Sequence, residues 1–232
     1  MMLSVVIPTL DEAAGLPALL TDLRELGESL GEIVVADAGS SDETVQLALA
    51  AGACVIQAPR GRACQLNAGA RASRGDWLLL LHADCRVGPA AAAAIREALT
   101  GIPRFQAAVF RFAIDLPPFW RQLIETSQAI RESLSGLAYG DQGLLVRRES
   151  FEAVGGYADL PLMEDVVMIR RLRQRFGVAR LHAPLLTSGR RYRRDGILRT
   201  WLTHGVLITL YAFGVSPIRL ARWRHGTAAI AS

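Results

Sequence analysis

The sequence predicts an α/β fold, a sheet flanked by helices, and three observations carry that prediction. Strand-like and helix-like segments alternate through the first 100 residues, and repeated βα units imply parallel strands joined by right-handed crossovers. The run Trp77-Leu78-Leu79-Leu80-Leu81 is continuously apolar, the pattern of a strand buried on both faces. Hydrophobic residues make up 51% of the 232, enough for a sizeable core in one large domain or two small ones and too many for a disordered chain.

In chain order, Leu3 to Pro8 reads as the first strand and Ala13 to Leu30 as an amphipathic helix. Glu32 to Asp37 is the second strand, followed by a helix from Ser41 to Ala51. Cys54 to Gln57 is a short strand, and Arg62 to Ala72 the next helix. Trp77 to His82 is the fourth strand, with a helix around Pro89 to Leu99 after it. Beyond Gly101 the pattern becomes mixed. Gln106 to Ile114 alternates like a half-buried strand. Phe119 to Leu134 carries apolar residues at helical spacing, Gly143 to Val146 is a short strand, and Glu164 to Phe176 is a helix with arginines outward. No Gly/Ser/Pro-rich linker divides the chain. Residues 1–195 therefore read as a single domain, with residues 196–232 as an apolar and basic helical extension.

The fourth strand runs out into His82-Ala83-Asp84. In open α/β sheets, ligands sit outside the carboxyl ends of the strands. A carboxylate there can hold a divalent cation, which can hold a diphosphate. The competing reading makes Asp84 a cap for the following helix. Two further acidic turns fall on the same edge, Pro8-Thr9-Leu10-Asp11-Glu12 after the first strand and Asp37-Ala38-Gly39-Ser40-Ser41-Asp42-Glu43-Thr44 after the second. Their carboxylates can accept from a nucleotide base or a ribose hydroxyl. Ser41 to Thr44 is also good helix N-terminal chemistry.

Taken together, these segments resemble the family 2 glycosyltransferases of the GT-A fold. The resemblance rests on Val5 to Glu12, Asp37 to Thr44, Gly61 to Gly69, His82-Ala83-Asp84, Gly140-Asp141-Gln142-Gly143, Phe151 to Tyr157 and Glu164-Asp165, all in family order over residues 3 to 195. It implies a Rossmann-like mixed sheet and transfer of a sugar, with inversion, from a nucleotide-diphosphate sugar to a hydroxyl acceptor. A UDP-sugar is the commonest donor expectation. Pro8, Thr9, Glu12, Asp37, Arg62 and Asn67 would form the nucleotide pocket. Asp84 would hold Mn²⁺ or Mg²⁺ on the diphosphate, Asp165 would be the catalytic base with Glu164 beside it, and Arg190 and Arg191 would face the leaving diphosphate. His82 stands where the family commonly has an Asp. Histidine can ligate Mn²⁺ but suits an oxygen-rich Mg²⁺ site less well. Ser188-Gly189-Arg190-Arg191-Tyr192 departs from the Gln-x-x-Arg-Trp motif of processive members, so a non-processive enzyme is expected.

Charge is distributed unevenly. Residues 1–100 hold 12 acids and 7 bases, whereas 166–232 hold 13 arginines and one acid, Asp195. Such a gradient fits phosphate-bearing ligands or an anionic membrane. Nucleic acid is not expected, because no helix-turn-helix, zinc or RNP-like signature is present. The segment Ile197 to Trp223 has two readings: an interfacial helix on an anionic membrane near a lipid-linked acceptor, or a helix packed on the domain or on a second subunit of a homodimer. Its apolar stretch, Gly205 to Pro217, is too short to span a bilayer. Cys54, Cys64 and Cys85 form no CxxC pair, so a reducing compartment is expected. The N-terminus lacks the basic region of a signal peptide, which points to the cytoplasm, with peripheral contact at the inner membrane face.

Other classes fit less well. A sugar-nucleotide pyrophosphorylase would want a Gly-rich basic phosphate loop after the first strand. A dehydrogenase would want GxGxxG. A non-catalytic nucleotide-sugar scaffold would have no use for Asp84, Glu164 and Asp165.

Overall fold

The computed structural model describes residues 1–100, 105–135 and 142–225. Gly140 and Asp141 of the Gly140–Gly143 motif lie outside the described residues. The elements in order are β1 (Leu3–Thr9), α1 (Leu16–Arg24), β2 (Leu30–Asp37), α2 (Thr44–Ala50), β3 (Cys54–Gln57), α3 (Arg62–Ala72), β4 (Trp77–Leu80), β5 (Cys85–Arg86), α4 (Pro89–Thr100) and β6 (Ala107–Ile114). Then come α5 (Pro118–Ser135), β7 (Leu144–Arg147), α6 (Arg148–Ala153), α7 (Glu164–Phe176), β8 (Ala179–Thr187), α8 (Arg190–Asp195), α9 (Ile197–Ala212) and α10 (Pro217–His225).

The strands form one sheet in the order β3-β2-β1-β4-β7-β6-β8-β5. The first four are mutually parallel, with Val6 opposite Val34 and Leu80. β7 runs antiparallel to both β4 and β6, and the two-residue β5 runs antiparallel to β8. The sheet is therefore mixed, as expected.

Each face of the sheet has its own core. Leu3, Val5, Ile7, Trp77, Leu79 and Leu81 point to the side of α1 and α4. Val6, Leu78 and Leu80 point to the side of α3 and α7. Because side chains alternate along a strand, only a continuously apolar β4 can serve both cores. α3 lies so close to the sheet that a Cβ on Gly69 would come 2.3 Å from Val6 Cγ1. Glycine is what allows that approach.

Several boundaries differ from the sequence reading. The first helix is shorter than 13–30: it begins at Leu16, with a proline in its first turn, and ends by Gly27, whose φ of +55° is a left-handed turn. β4 ends at Leu80; the Leu81 N–H still donates to the Val6 carbonyl at 3.1 Å, and His82 leaves the sheet in a tight turn closed by the Cys85 N–H on its carbonyl, at 3.2 Å. Asp84 does not cap α4, which starts five residues later. β8 received no assignment from the sequence. Its side chains are mostly half-buried or exposed, so it lacks an apolar stripe. Among the described residues the C-terminal extension is two helices, parted by Gly214 at φ +86° and started again by Pro217.

The extension packs on the domain. Leu207 and Leu220 are buried against Met163 and Val166 at the start of α7. Trp201 and Ile197 lie on Phe112, Ile114 and Ile124, and the Trp201 indole N–H donates to Ser127 Oγ at 3.1 Å.

Candidate active site

The carboxyl ends of β1 and β2 are aligned, with Thr9 opposite Asp37, so both acidic turns leave the sheet side by side. They are tied together there. Asp11 Oδ1 accepts from the Ser41 N–H at 2.7 Å, the Asp11 N–H donates to Ser40 Oγ at 2.9 Å, and the Glu12 N–H donates to Thr44 Oγ1 at 2.8 Å. Asp37 sits beneath this joint. Its carboxylate accepts from Thr9 Oγ1 at 2.8 Å, from the Gly39 and Ser40 N–H groups at 2.9 and 2.8 Å, and from Ser40 Oγ. Burial alone would raise its pKa, but the bonds from Ser40, Thr9 and Gly39 outweigh it and hold the carboxyl below the usual range.

A cleft of about 680 Å³ opens above these strand ends. From the sheet side it receives Pro8, Thr9 and Glu12, then His82 and Asp84 from the turn after β4. α3 adds Arg62 at its first position. α7 begins at the cleft with Glu164 and Asp165, after Met163 in a left-handed conformation at φ +65°. α8 adds Arg190 and Arg191. Its entry at Gly189 passes so close to the backbone that a Cβ would lie 2.0 Å from the Asp115 carbonyl. Ten of the twelve residues singled out in the sequence thus share one cleft.

Asp37 and Asn67 are the two that do not line it. Asp37 is 4% exposed, with its oxygens turned to the joint below. Asn67 exchanges two 2.9 Å bonds with the Tyr157 backbone, joining α3 to the Gly155-Gly156-Tyr157 turn. Both shape the pocket from behind its wall.

Two ion pairs set the charge of the cleft. Arg190 Nη2 meets Glu12 Oε2 at 2.5 Å, bridging α8 to the end of β1. That bond, and the charges of Glu12 and Asp84, raise the Arg190 pKa. Arg62 Nη1 meets the buried Glu164 Oε1 at 3.0 Å. Burial raises the Glu164 pKa; Arg62 opposes this and Asp165 adds to it. Asp165 differs from its neighbour: it is half-buried, and its Oδ1 accepts from the Val166 N–H at 2.7 Å.

Burial, with the positive charges of Arg62 and Arg191, pushes the His82 pKa well down. The imidazole is therefore neutral at pH 7 and keeps a lone pair for a metal. No group of three or more His, Cys, Asp or Glu gathers among the described residues; Asp84 and His82 reach the cleft from the same turn. Two protein donors fit a divalent cation whose remaining positions are filled by water and substrate phosphates.

Four contributors carried no sequence assignment. Gln65, buried on α3, donates its amide to the Thr9 and Ala36 carbonyls, both at 2.8 Å, and so pins α3 to the ends of β1 and β2. Arg131 on α5, His204 on α9 and Arg224 on α10 close the far side of the cleft. The signal for His204 was a polar residue in the apolar stretch of α9, and for Arg224 the run of arginines in α10. A smaller cavity of about 390 Å³ between α7 and the α9–α10 joint has no carboxylate in its lining.

The model of glycosyl transferase family 2 matches residues 4–155. An undecaprenyl-phosphate 4-deoxy-4-formamido-L-arabinose transferase of Pseudomonas paraeruginosa is 36% identical over 99 residues, covering 38% of this chain; the match spans 29% of that relative's length. Among solved structures, glucosyl-3-phosphoglycerate synthase from Mycobacterium tuberculosis, in complex with Mn²⁺, UDP and glucosyl-3-phosphoglycerate, superposes with a TM-score of 0.58 at 20% identity. The match covers 79% of this chain and 70% of that one. The same synthase with Mg²⁺ and UDP gives 0.60 at 19% identity, over 79% and 69%. These likenesses show the fold, the GT-A sheet that the sequence led us to expect.

Proposed function

The chain belongs to glycosyl transferase family 2, and on that premise we propose that it moves a sugar, with inversion, from a nucleotide-diphosphate donor to a hydroxyl acceptor. One observation carries the reading: a single cleft gathers Asp84 and His82 at the sheet edge with Asp165 at the start of α7. In-line displacement needs a place for a diphosphate and a base for the acceptor proton, and these residues supply both.

Thr9, Arg62 and the turn after β1 form the donor pocket, with the turn after β2 bracing it from behind, and UDP is the first nucleotide to test, since the structural neighbours hold it. Asp84 and His82 would hold Mn²⁺ or Mg²⁺, and such a cation supplies charge stabilisation for a departing diphosphate. Arg190 and Arg191 lie on the same wall as further positive charge. Asp165 takes the proton from the acceptor hydroxyl. Glu164, paired with Arg62, orients the start of α7. The alternative of a non-catalytic scaffold leaves this gathering of carboxylates without a role.

In this reading the acceptor is lipid-linked and the protein is peripheral on the cytoplasmic face of the membrane. Support comes from the outward face of α9. Leu198, Leu202, Val206 and Leu210 recur every fourth residue as one exposed stripe, and Phe213, Ile218 and Trp223 are exposed as well. Arg199, Arg219 and Arg222 border the stripe, and no ion pair involves them among the described residues. An exposed apolar face with a basic margin suits an anionic lipid surface. Among the described residues no helix is long and apolar enough to cross a membrane. The name of the Pseudomonas relative also carries a lipid phosphate. The three free cysteines suit a reducing compartment.

Calorimetric titration of UDP, with and without Mn²⁺, tests the reading. Binding that requires both the cation and Asp84, and is lost in Asp84→Asn, is expected. Failure of UDP, GDP and dTDP alike under these conditions would remove the donor and bring the scaffold forward.

A further inference from the structure

The smaller cavity, between α7 and the α9–α10 joint, lies behind the cleft. Its volume of about 390 Å³ falls in the range of small-ligand pockets, about 300–1,000 Å³. Met163 and Val166 are buried and form its floor. Ala212, Gly214 and Ser216 are exposed and form its mouth, with Arg170 at the rim. Met163 and Ile208 also line the cleft, so they are the partition between the two spaces. No carboxylate lines the cavity. Nothing in it can take a proton from an acceptor hydroxyl, so its occupant is a bound ligand and not a substrate.

The surroundings of the mouth point to one chemistry. Phe213 and Ile218 are exposed on either side of residues 214–217, and all four of those residues line the cavity. The exposed apolar turn and the mouth are therefore one structure, and the phase that covers Phe213 and Ile218 stands at the opening. The charge there is positive. Among the described residues, no ion pair or side-chain hydrogen bond involves the guanidinium of Arg170, or those of the exposed Arg219 and Arg222 on α10. The Tyr211 hydroxyl at the cavity is likewise without a partner among them. An apolar slot with a cationic rim complements an amphiphile that has an alkyl chain and an anionic head. Arginine's planar fork matches a phosphate bidentately.

We propose that this cavity takes one acyl chain of an anionic membrane phospholipid, with Arg170 on the lipid phosphate. The inference rests on the membrane-facing reading of α9 and α10 and deepens it. The lipid is an anchor: it adds a fixed, saturable contact to the diffuse attraction of an apolar stripe with a basic margin.

The test titrates octanoyl and decanoyl lysophosphatidylglycerol into the full chain by calorimetry, as monomers below the concentration at which they form micelles. Monodecanoylglycerol supplies the chain without the phosphate, and glycerol 3-phosphate the phosphate without the chain. Saturable binding of one lysolipid is expected, about tenfold tighter for the two added methylenes. Ala212→Phe, which puts a ring in the mouth, should abolish it, and Val215→Phe serves if that protein does not fold. Arg170→Gln should weaken the lysolipid about tenfold and leave monodecanoylglycerol unchanged. UDP affinity should stay the same in all these variants. Lysolipid binding that survives both Phe variants would overturn the proposal, as would glycerol 3-phosphate binding as tightly as the decanoyl lipid. A lysolipid displaced by UDP would also overturn it and place the lipid in the cleft. Phosphatidylglycerol vesicles bound without any monomer binding would remove the cavity and keep the membrane face. Monomer binding without vesicle binding would instead sink the membrane-facing reading and pass the cavity to a soluble amphiphile.

Discussion

Replacing Asp37 by Asn keeps its shape and removes its charge, and the hydrogen bonds around it set the cost. The carboxylate accepts four of them, two on each oxygen. The Gly39 and Ser40 N–H groups cannot turn, so the Asn carbonyl must face them. The Asn amide then meets the Thr9 and Ser40 hydroxyls, which can rotate to accept. Every contact survives as a neutral one, and each bond to the former carboxylate loses part of its strength. Charge-assisted bonds contribute about 1.5–3 kcal/mol against about 0.5–1.5 for neutral ones. Relief of the buried charge offsets part of that loss, leaving a net cost of about 1–2 kcal/mol. Asp37→Ala removes all four acceptors. Water reaches exposed Gly39 but not Thr9, which is 1% exposed, so the cost rises to about 3–4 kcal/mol. For a chain of this length 1 kcal/mol moves Tm by about 2–4 °C. Thermal melts without ligand should therefore rank wild type, Asn and Ala in that order. The sign with pH is also set. A carboxyl whose folded pKa is lowered stabilises above its unfolded value, about 3.9, and that stability is lost as pH falls through the folded pKa. The gap between wild type and Asp37→Asn should close below about pH 4. Equal melting of Asn and Ala variants, or a gap that does not narrow at all as the pH is lowered through about 4, would show that the carboxylate does not hold this joint.

Other expectations concern single contacts. Gly69→Ala puts a Cβ where Val6 Cγ1 already lies 2.3 Å away; overpacking of about 1–3 kcal/mol exceeds the helix-propensity gain of about 1, and adding Val6→Ala should recover part of the loss in urea melts. A stabilised Gly69→Ala protein would mean that the helix–sheet contact is looser than described. Asp165→Asn should lower sugar transfer by about 10²- to 10⁴-fold and leave UDP binding intact; activity equal to the parent's would remove Asp165 as the base. Leu202→Glu with Phe213→Glu should abolish co-sedimentation with anionic vesicles yet leave Tm unchanged, because these side chains are 52% and 83% exposed. Retained vesicle binding would move the stripe to another role, and a concentration-dependent fall in mass would identify a dimer face.

Much of the site was legible because its residues sit at strand ends and helix starts. Apolar runs mark strands, and the small polar residues after them mark where the chain leaves the sheet. Local chemistry also set the bounds of α3 and α7. Less was legible where neighbours decide. β8 joins the sheet through its backbone, beside β6, with no apolar stripe to announce it. Gln65 looks like any polar residue on a helix until its amide is seen on two strand-end carbonyls.

The βα alternation, the doubly buried β4 and the acidic edge are all written in the order of nearby residues, and residue order sufficed to find them. That α9 and α10 fold back over α7 and bring His204 and Arg224 to the cleft came to light with the packed chain. Those contacts join segments far apart in the chain, and no local pattern encodes which distant surface an apolar helix will cover.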